Sequence, residues 1–398
     1  MPGTDEQSVA TMLAEAEAAL RRGDSGRAFD ILGCAETLAP GDASVHLSRA
    51  LAHRSTGNVA AALESLEKVL AIDPRNFLAL LSKAFLFEQQ GLTRKAATVY
   101  RSALAVAPPA DRVPPALAGA VKRAQQAVAA NTRALQTHLR ESLTEVRARF
   151  DTENLDRFDE SVDILTGRTR AYVQKPLLLH YPRLPAIPFF DRELFPWLSE
   201  LEAQTGAMQE ELGNLLDRAG TEPVSPYIDY PPGAPLDQWG ELNHSRRWSS
   251  FFFWRDGVRQ EEACARCPRT AAALEALPMA RQPRLAPTAM FSVLDAHTEI
   301  PPHTGSTNIR AIVHLPLILP GACRFRVGNV TREWRMNEAW VFDDTIEHQA
   351  WNDSDEIRVI LIFDVWNPLL TEAERVLVTE MLKARNEFQA VDAAPSGG

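Results

Sequence analysis

The sequence predicts a two-part chain of mixed α and β class, an α-helical solenoid followed by an antiparallel, barrel-like sheet. Three observations carry that expectation. Gly23, Gly57 and Gly91 recur every 34 residues, and Pro40, Pro74 and Pro108 keep the same period. Between Ser292 and Pro368 the apolar runs AIVHLPLIL, CRFRV, AWVFD and RVILIFDVW alternate with breaks at Gly305, Pro320-Gly321 and Asn352-Asp353. Runs of that length, rich in Val, Ile, Leu, Phe and Trp, form strands rather than helices. Finally, His303, His348 and Arg358 fall at or near the ends of these runs.

The repeat comes first. Ala16, Ala50 and Ala84 are in phase with one another, as are Ala28, Ala62 and Ala96. A 34-residue period with small residues at fixed places marks the tetratricopeptide repeat. Small side chains let the paired helices approach closely, glycine makes the turn between them, and proline follows the second helix. One repeat cannot bury its apolar stripe alone, so three stack over residues 1–110. Such arrays usually dock peptides, so the array is expected either to present a peptide or protein substrate to the rest of the chain or to serve as an appendage that solubilises or dimerises it.

Residues 111–176 are expected to be a capping helix and a linker, residues 177–385 the catalytic domain, and residues 386–398 a disordered tail. A helix capped by Asp191 is expected to carry Leu194, Trp197, Leu198 and Leu201 on one stripe. The Pro- and Gly-rich stretch TEPVSPYIDYPPGAPLDQWGELNHSRR reads as a long loop facing substrate, with Tyr227, Tyr230, Glu241 and Asn243 as candidates to touch it. WSSFFFWRDG and TAMFSVLDA read as strands, and CARCPRTAAALEALP as a helix over the sheet.

Composition sets limits. The chain has 398 residues, 45% hydrophobic and 24% charged, which suits a soluble globular protein. A net charge of −10 argues against general nucleic-acid binding. Cys34, Cys264, Cys267 and Cys323 are too few for a disulfide framework, and the lone Cys264-x-x-Cys267 lacks the partners of a zinc site. The first twenty residues lack a basic segment followed by an apolar core, and no apolar run reaches eighteen residues. No signal peptide and no membrane span are expected, and the cytoplasm is the default compartment.

The chemistry is expected between the strands. Two imidazoles suit Fe(II) and leave coordination positions open. A charged Arg in a buried strand is costly unless it meets an anion, and Arg358 can fork onto a carboxylate. Iron, an oxoacid and an open site describe a 2-oxoglutarate-dependent oxygenase. A pair of hydrogen-bonded structural histidines fits the same spacing. The usual third ligand, a carboxylate two residues after the first His, is replaced by Gly305.

HTGSTNIRAIVHLPL, FDDTIEHQAW and IRVILIFDVWNP resemble the aspartyl/asparaginyl β-hydroxylase family of Fe(II)/2-oxoglutarate oxygenases, over roughly Leu177 to Leu370. The resemblance implies a double-stranded β-helix (jelly-roll or cupin-like) domain. It also implies iron on His303 and His348 with water in place of the carboxylate. The far carboxylate of 2-oxoglutarate would lie on Arg358 and Ser292, its near end against His314, and dioxygen would be the second cosubstrate. Asp343 or Asp344 would orient a metal-bound imidazole. Family members that hydroxylate Asp or Asn carry basic residues at the places of Met290, Arg310 and Ile312. Arg310 is therefore an expected substrate contact, and Glu241 of the long loop is the other candidate. The expected reaction hydroxylates the β-carbon of an Asp or Asn residue, or of a related amino-acid-derived substrate. A lipid A-type hydroxylase and a non-catalytic repeat scaffold are the alternatives.

Overall fold

The computed structural model describes residues 4–217, 224–282 and 284–391. The chain divides between Thr169 and Arg170 into two compact units.

The first unit is helical. Helices α1 (Thr4–Arg21), α2 (Ser25–Leu38), α3 (Ala43–Ser55), α4 (Val59–Ile72), α5 (Phe77–Gln89) and α6 (Thr93–Ala105) form three successive pairs. Gly23, Gly57 and Gly91 turn each pair with φ of 82°, 77° and 75°, a region that costs other residues strain. Asp24 and Asn58 cap the second helices of the first two pairs by accepting from Arg27 N and Ala61 N. Ala16, Ala28, Ala50, Ala62, Ala84 and Ala96 are all buried, so the in-phase small residues sit at the helix contacts. Pro115 opens α7 (Pro115–Arg147), a single long helix whose Ala124 packs with Leu80, Ala96 and Tyr100. α8 (Asp156–Thr166) ends at Gly167 in the left-handed region.

The expected linker to residue 176 is shorter than the sequence suggested. Residues from Arg170 onward belong to the second unit. Lys175 N donates to Thr345 O and Leu177 N to Gly305 O, so this strap pairs with the loops of the sheet. Its polar composition hid that role because the pairing uses backbone groups, which carry no composition signal. The expected tail also differs, because α13 (Glu372–Val391) runs through residue 389 and beyond. Val378 and Leu382, one helical turn apart, bury against Ile309 and Leu370. Residues 392–398 lie outside the described residues.

In the second unit the helix expected after Asp191 is broken. Pro196 cannot donate to a preceding turn, so α9 (Leu198–Glu202) starts after it and α10 (Thr205–Leu216) follows. Leu194 faces solvent, whereas Leu198 and Leu201 are buried. Pro268 likewise splits the next helix into α11 (Glu261–Arg266) and α12 (Pro268–Ala276).

Eleven strands are present among the described residues: β1 (Ser225–Pro226), β2 (Trp248–Arg255), β3 (Val258–Arg259), β4 (Ala289–Leu294), β5 (Thr298–His303), β6 (Arg310–Ile318), β7 (Cys323–Val327), β8 (Val330–Glu333), β9 (Trp340–Phe342), β10 (His348–Asn352) and β11 (Arg358–Trp366). The major sheet has the order β1-β2-β4-β11-β6-β9, with β3 added to β2, and the minor sheet β5-β10-β7-β8. Every named pair is antiparallel.

Successive strand residues face opposite sides, and that alternation sorts the core. Phe251, Phe253, Phe291, Val293, Leu361, Phe363 and Val313 pack with Leu198, Leu201, Leu212 and Leu274 of the helices. Each such fully buried side chain contributes about 1.5–3 kcal/mol. On the other face Trp248, Leu294, Ile360 and Phe342 meet Phe325, Val327, Ile300 and Ala350 of the minor sheet. The polar residues of interest lie on this inner face.

Candidate functional site

His303 closes β5 and His348 opens β10, and the two are register partners. Their ring centroids lie 4.0 Å apart with planes inclined at 58°. His303 Nδ1 lies 2.7 Å from Pro301 O and His348 Nδ1 3.1 Å from Ile346 O. A carbonyl oxygen only accepts, so both Nδ1 atoms carry the proton and both Nε2 atoms keep a lone pair. Burial holds His303 down to about 4 and His348 well below its ordinary value, so both rings are neutral near pH 7. Two neutral imidazoles side by side, each oriented through its other nitrogen, suit a divalent metal.

Arg358 opens β11 on the same inner face and is 1% exposed. Its Nε and Nη2 have no hydrogen-bond partner, and its guanidinium sits over the Trp334 ring at 5.1 Å. Burial lowers its pKa to about 10, which still leaves it charged near pH 7. A buried cation with open donors is costly, and a carboxylate offers the matching fork. Register places Arg358 opposite Leu294 and Ser292 opposite Ile360, so Ser292 is one inner-face position along the neighbouring strand. The buried Ser292 Oγ accepts from Trp248 Nε1 at 3.1 Å, leaving its own hydrogen to donate. His314 lies opposite Ile362 on β6, and its buried Nδ1 has no partner. Burial, then the charges of Arg358 and His303, push its pKa well down. The five sequence candidates for metal and cosubstrate thus share one inner face of the fold.

Gly305 explains its own identity. A Cβ built there would lie 1.7 Å from Asp344 Oδ2 and 2.1 Å from its Cγ. The carboxylate missing two residues after His303 is thus matched by one from the opposite loop, which fills the space. Burial raises Asp344 to about 8, against the opposing pull of Arg310. Asp344 does not complete a ligand cluster, since no group of three or more His, Cys, Asp or Glu among the described residues is placed to hold a metal. Asp343 does not orient an imidazole. Its carboxylate accepts from Thr345 N at 3.0 Å and from Gln174 Nε2 at 2.5 Å.

Two substrate candidates are placed differently from expectation. Arg310 is not a free cation: it pairs with Asp364 from the adjacent strand. Glu241 is 92% exposed and lies 3.9 Å from Arg247, because its loop turns it toward solvent. Asn243 braces the same loop by accepting from Tyr230 N, whereas Tyr227 packs on Trp248 with centroids 4.2 Å apart. His297 pairs with Asp355 outside the cluster. Gln174, Trp334 and Asp364 belong to the site's surroundings and were missed. Gln174 lies in a stretch without periodicity, and Asp364 reads as a polar break in an apolar strand.

A model of the aspartyl/asparaginyl beta-hydroxylase family matches residues 204–368. An ornithine lipid ester-linked acyl 2-hydroxylase of Rhizobium tropici is 33% identical over 203 residues, 50% of this chain and 68% of that protein. The human aspartyl/asparaginyl beta-hydroxylase is 36% identical over 149 residues, 37% of this chain. The match spans 20% of the human protein's length. The chain belongs to the aspartyl/asparaginyl β-hydroxylase family. Among solved structures, the Arabidopsis OM64 TPR domain is similar, with 22% identity and a TM-score of 0.27 over 31% of this chain and 98% of that one.

Proposed function

We propose that the second unit is an Fe(II)/2-oxoglutarate-dependent dioxygenase of double-stranded β-helix type. It would hydroxylate an unactivated carbon, the β-carbon of an Asp or Asn residue in a peptide or a related amino-acid-derived substrate. The reaction consumes a C–H bond, 2-oxoglutarate and O2, and yields the alcohol, succinate and CO2. The observation that carries this reading is Arg358, a buried cation whose Nε and Nη2 donors have no partner, in the same domain as two adjacent, lone-pair-bearing imidazoles.

His303 and His348 would hold the iron, which when bound supplies the redox chemistry that activates oxygen. Arg358 would grip the far carboxylate of 2-oxoglutarate with Ser292, each charge-assisted hydrogen bond contributing about 1.5–3 kcal/mol. His314 Nδ1 would meet the near end. Trp248, Phe325 and Phe342, buried in one cluster, would help to keep water from this space. The helical unit would dock a peptide substrate, and the protein would work in the cytoplasm. Among the described residues no helix is long and apolar enough to cross a membrane.

The test is succinate release from 2-oxoglutarate with added Fe(II), without and with an Asn- or Asp-containing peptide. A peptide that gains one oxygen establishes the reaction. Absence of both turnover and 2-oxoglutarate binding leaves a repeat scaffold. Acyl-chain hydroxylation is the second reading, favoured by the Rhizobium relative, of which two thirds aligns.

A further inference from the structure

Trp334 follows directly on Glu333, the last residue of β8, and its side chain joins the buried cluster between the two sheets. Its ring stacks on Trp340 at 5.6 Å and 11°, and Trp340 is the register partner of His314. The guanidinium carbon of Arg358 lies 5.1 Å from the Trp334 ring centroid, and the His314 ring centroid 6.2 Å from it. Phe325 ties these residues to the histidine pair, with its ring 5.4 Å from Trp334, 5.0 Å from His314 and 5.8 Å from His348. The indole is thus packed at the candidate site.

Its polar atom is not satisfied there. Trp334 is 5% exposed, and its Nε1 is buried with no hydrogen-bond partner among the described residues. The residue also lines an outer cleft of about 560 Å³ with Arg332, Glu333, Arg335, Glu338 and Trp340, but the buried nitrogen is out of reach of solvent in it. An indole N–H can only donate, a buried one ordinarily finds an acceptor, and leaving it without one is costly. Nε and Nη2 of Arg358 are in the same condition. Three donors on two packed residues therefore lack an acceptor, and a carboxylate, with roughly four lone-pair sites, can serve them all. The fork of Arg358 takes one site on each oxygen. The hydroxyl hydrogen of Ser292, whose Oγ accepts from Trp248, takes a third. One site remains, and Trp334 Nε1 is the buried donor beside Arg358 that can take it.

We infer that Trp334 is a further binding residue for the carboxylate that Arg358 takes, its indole N–H donating to that carboxylate. This rests on the 2-oxoglutarate reading above. The test uses Trp334→Phe, which keeps an aromatic ring against Trp340 and removes the N–H. 2-Oxoglutarate is titrated calorimetrically into protein loaded with Zn(II), which replaces iron without redox chemistry. Its Kd should rise about tenfold or more, as expected for loss of a hydrogen bond to a charged group. The second readout is the indole N–H spectrum of the nitrogen-labelled Zn(II) protein. The chain has eight tryptophans, and the signal absent from the variant is that of Trp334. In the wild type that signal should move downfield when 2-oxoglutarate is added. It should move much less with the methyl ester of the far carboxylate, whose end carries no charge. A weaker affinity with an unmoved signal would mean that the ring only packs, and an unchanged affinity that no bond was lost. Either result overturns the inference, while binding of 2-oxoglutarate by the wild type keeps the oxygenase reading. If the variant does not fold, the wild type decides: no indole signal moved by the acid, or equal shifts with acid and ester, overturns the inference. If the wild type binds no 2-oxoglutarate, both fail.

Discussion

Gln174 joins the two loops that present the histidines. Its Nε2 donates to Asp343 at 2.5 Å, five residues before His348, and its Oε1 accepts from Asn308 Nδ2 at 3.0 Å, five residues after His303. Asp343 and Asn308 are both buried, so the bridge works where hydrogen bonds are hard to replace. Gln174→Leu keeps the approximate volume and removes both bonds. Metal affinity should fall by about 10–100-fold, the usual effect of losing an outer contact that orients ligands. Titration of Mn(II) or Co(II) into the purified protein measures this, and Gln174→Glu should not restore it, because a carboxylate repels Asp343. Unchanged affinity in the Leu variant would show that the loops hold their geometry without the strap.

How much of this could be read from the chain is clear from particular residues. The 34-residue period of Gly23, Gly57 and Gly91 translates into structure because left-handed glycine turns are a local requirement. His303 and His348 are register partners and Arg358 opens the strand β11, but strand-end spacing alone fits structural histidines as well, and only the resemblance singled these residues out. The strap at Gln174 was not legible, since its pairing with Thr345 and Gly305 is through backbone groups. Arg310 misled for a related reason. Its residue type suggests a substrate carboxylate, but whether its charge is available depends on Asp364, 54 residues away on a neighbouring strand.

Removal of the Arg358 charge should have two opposite effects. Arg358→Met keeps a long apolar stem over Trp334 and eliminates the unpaired buried cation. The ligand-free protein should gain about 1–3 kcal/mol, as replacement of buried charge by packed apolar atoms often does. At the same time the Kd for 2-oxoglutarate should rise at least about a hundredfold, since two charge-assisted bonds are lost. Denaturant melts with and without 2-oxoglutarate give both quantities. A variant that is less stable yet binds 2-oxoglutarate normally would refute the anion-pocket role.

Gly305 and Asp344 should behave as a coupled pair. Gly305→Ala places a methyl group where the Asp344 carboxylate lies, so it should destabilise the protein by about 1–3 kcal/mol. Asp344→Ala vacates that space, and the double variant should recover most of the packing loss. A double-mutant cycle with urea melts yields the coupling energy, expected at about 1 kcal/mol or more for residues in direct contact. Additive effects would mean that the loop moves aside freely.

Acidity provides a separate check on the same carboxyl. Burial raises Asp344 from an ordinary 3.8 to about 8, so the folded state holds a proton that the unfolded chain has already released. The unfolded state then binds fewer protons, and metal-free stability must decline as pH rises through this interval. His303 works in the other direction: its pKa falls from 6.5 to about 4, so its contribution grows as pH rises from 4 to 6.5 and is flat above. Between about pH 6.5 and 8 the Asp344 decline therefore stands apart from that of His303, at no more than about 1.4 kcal/mol per pH unit. Thermal melts of the metal-free protein over this window should show a falling Tm for the wild type and a flatter line for Asp344→Asn. Parallel lines would place the Asp344 titration below pH 6.5 and remove the argument that its carboxyl is kept protonated beside Gly305.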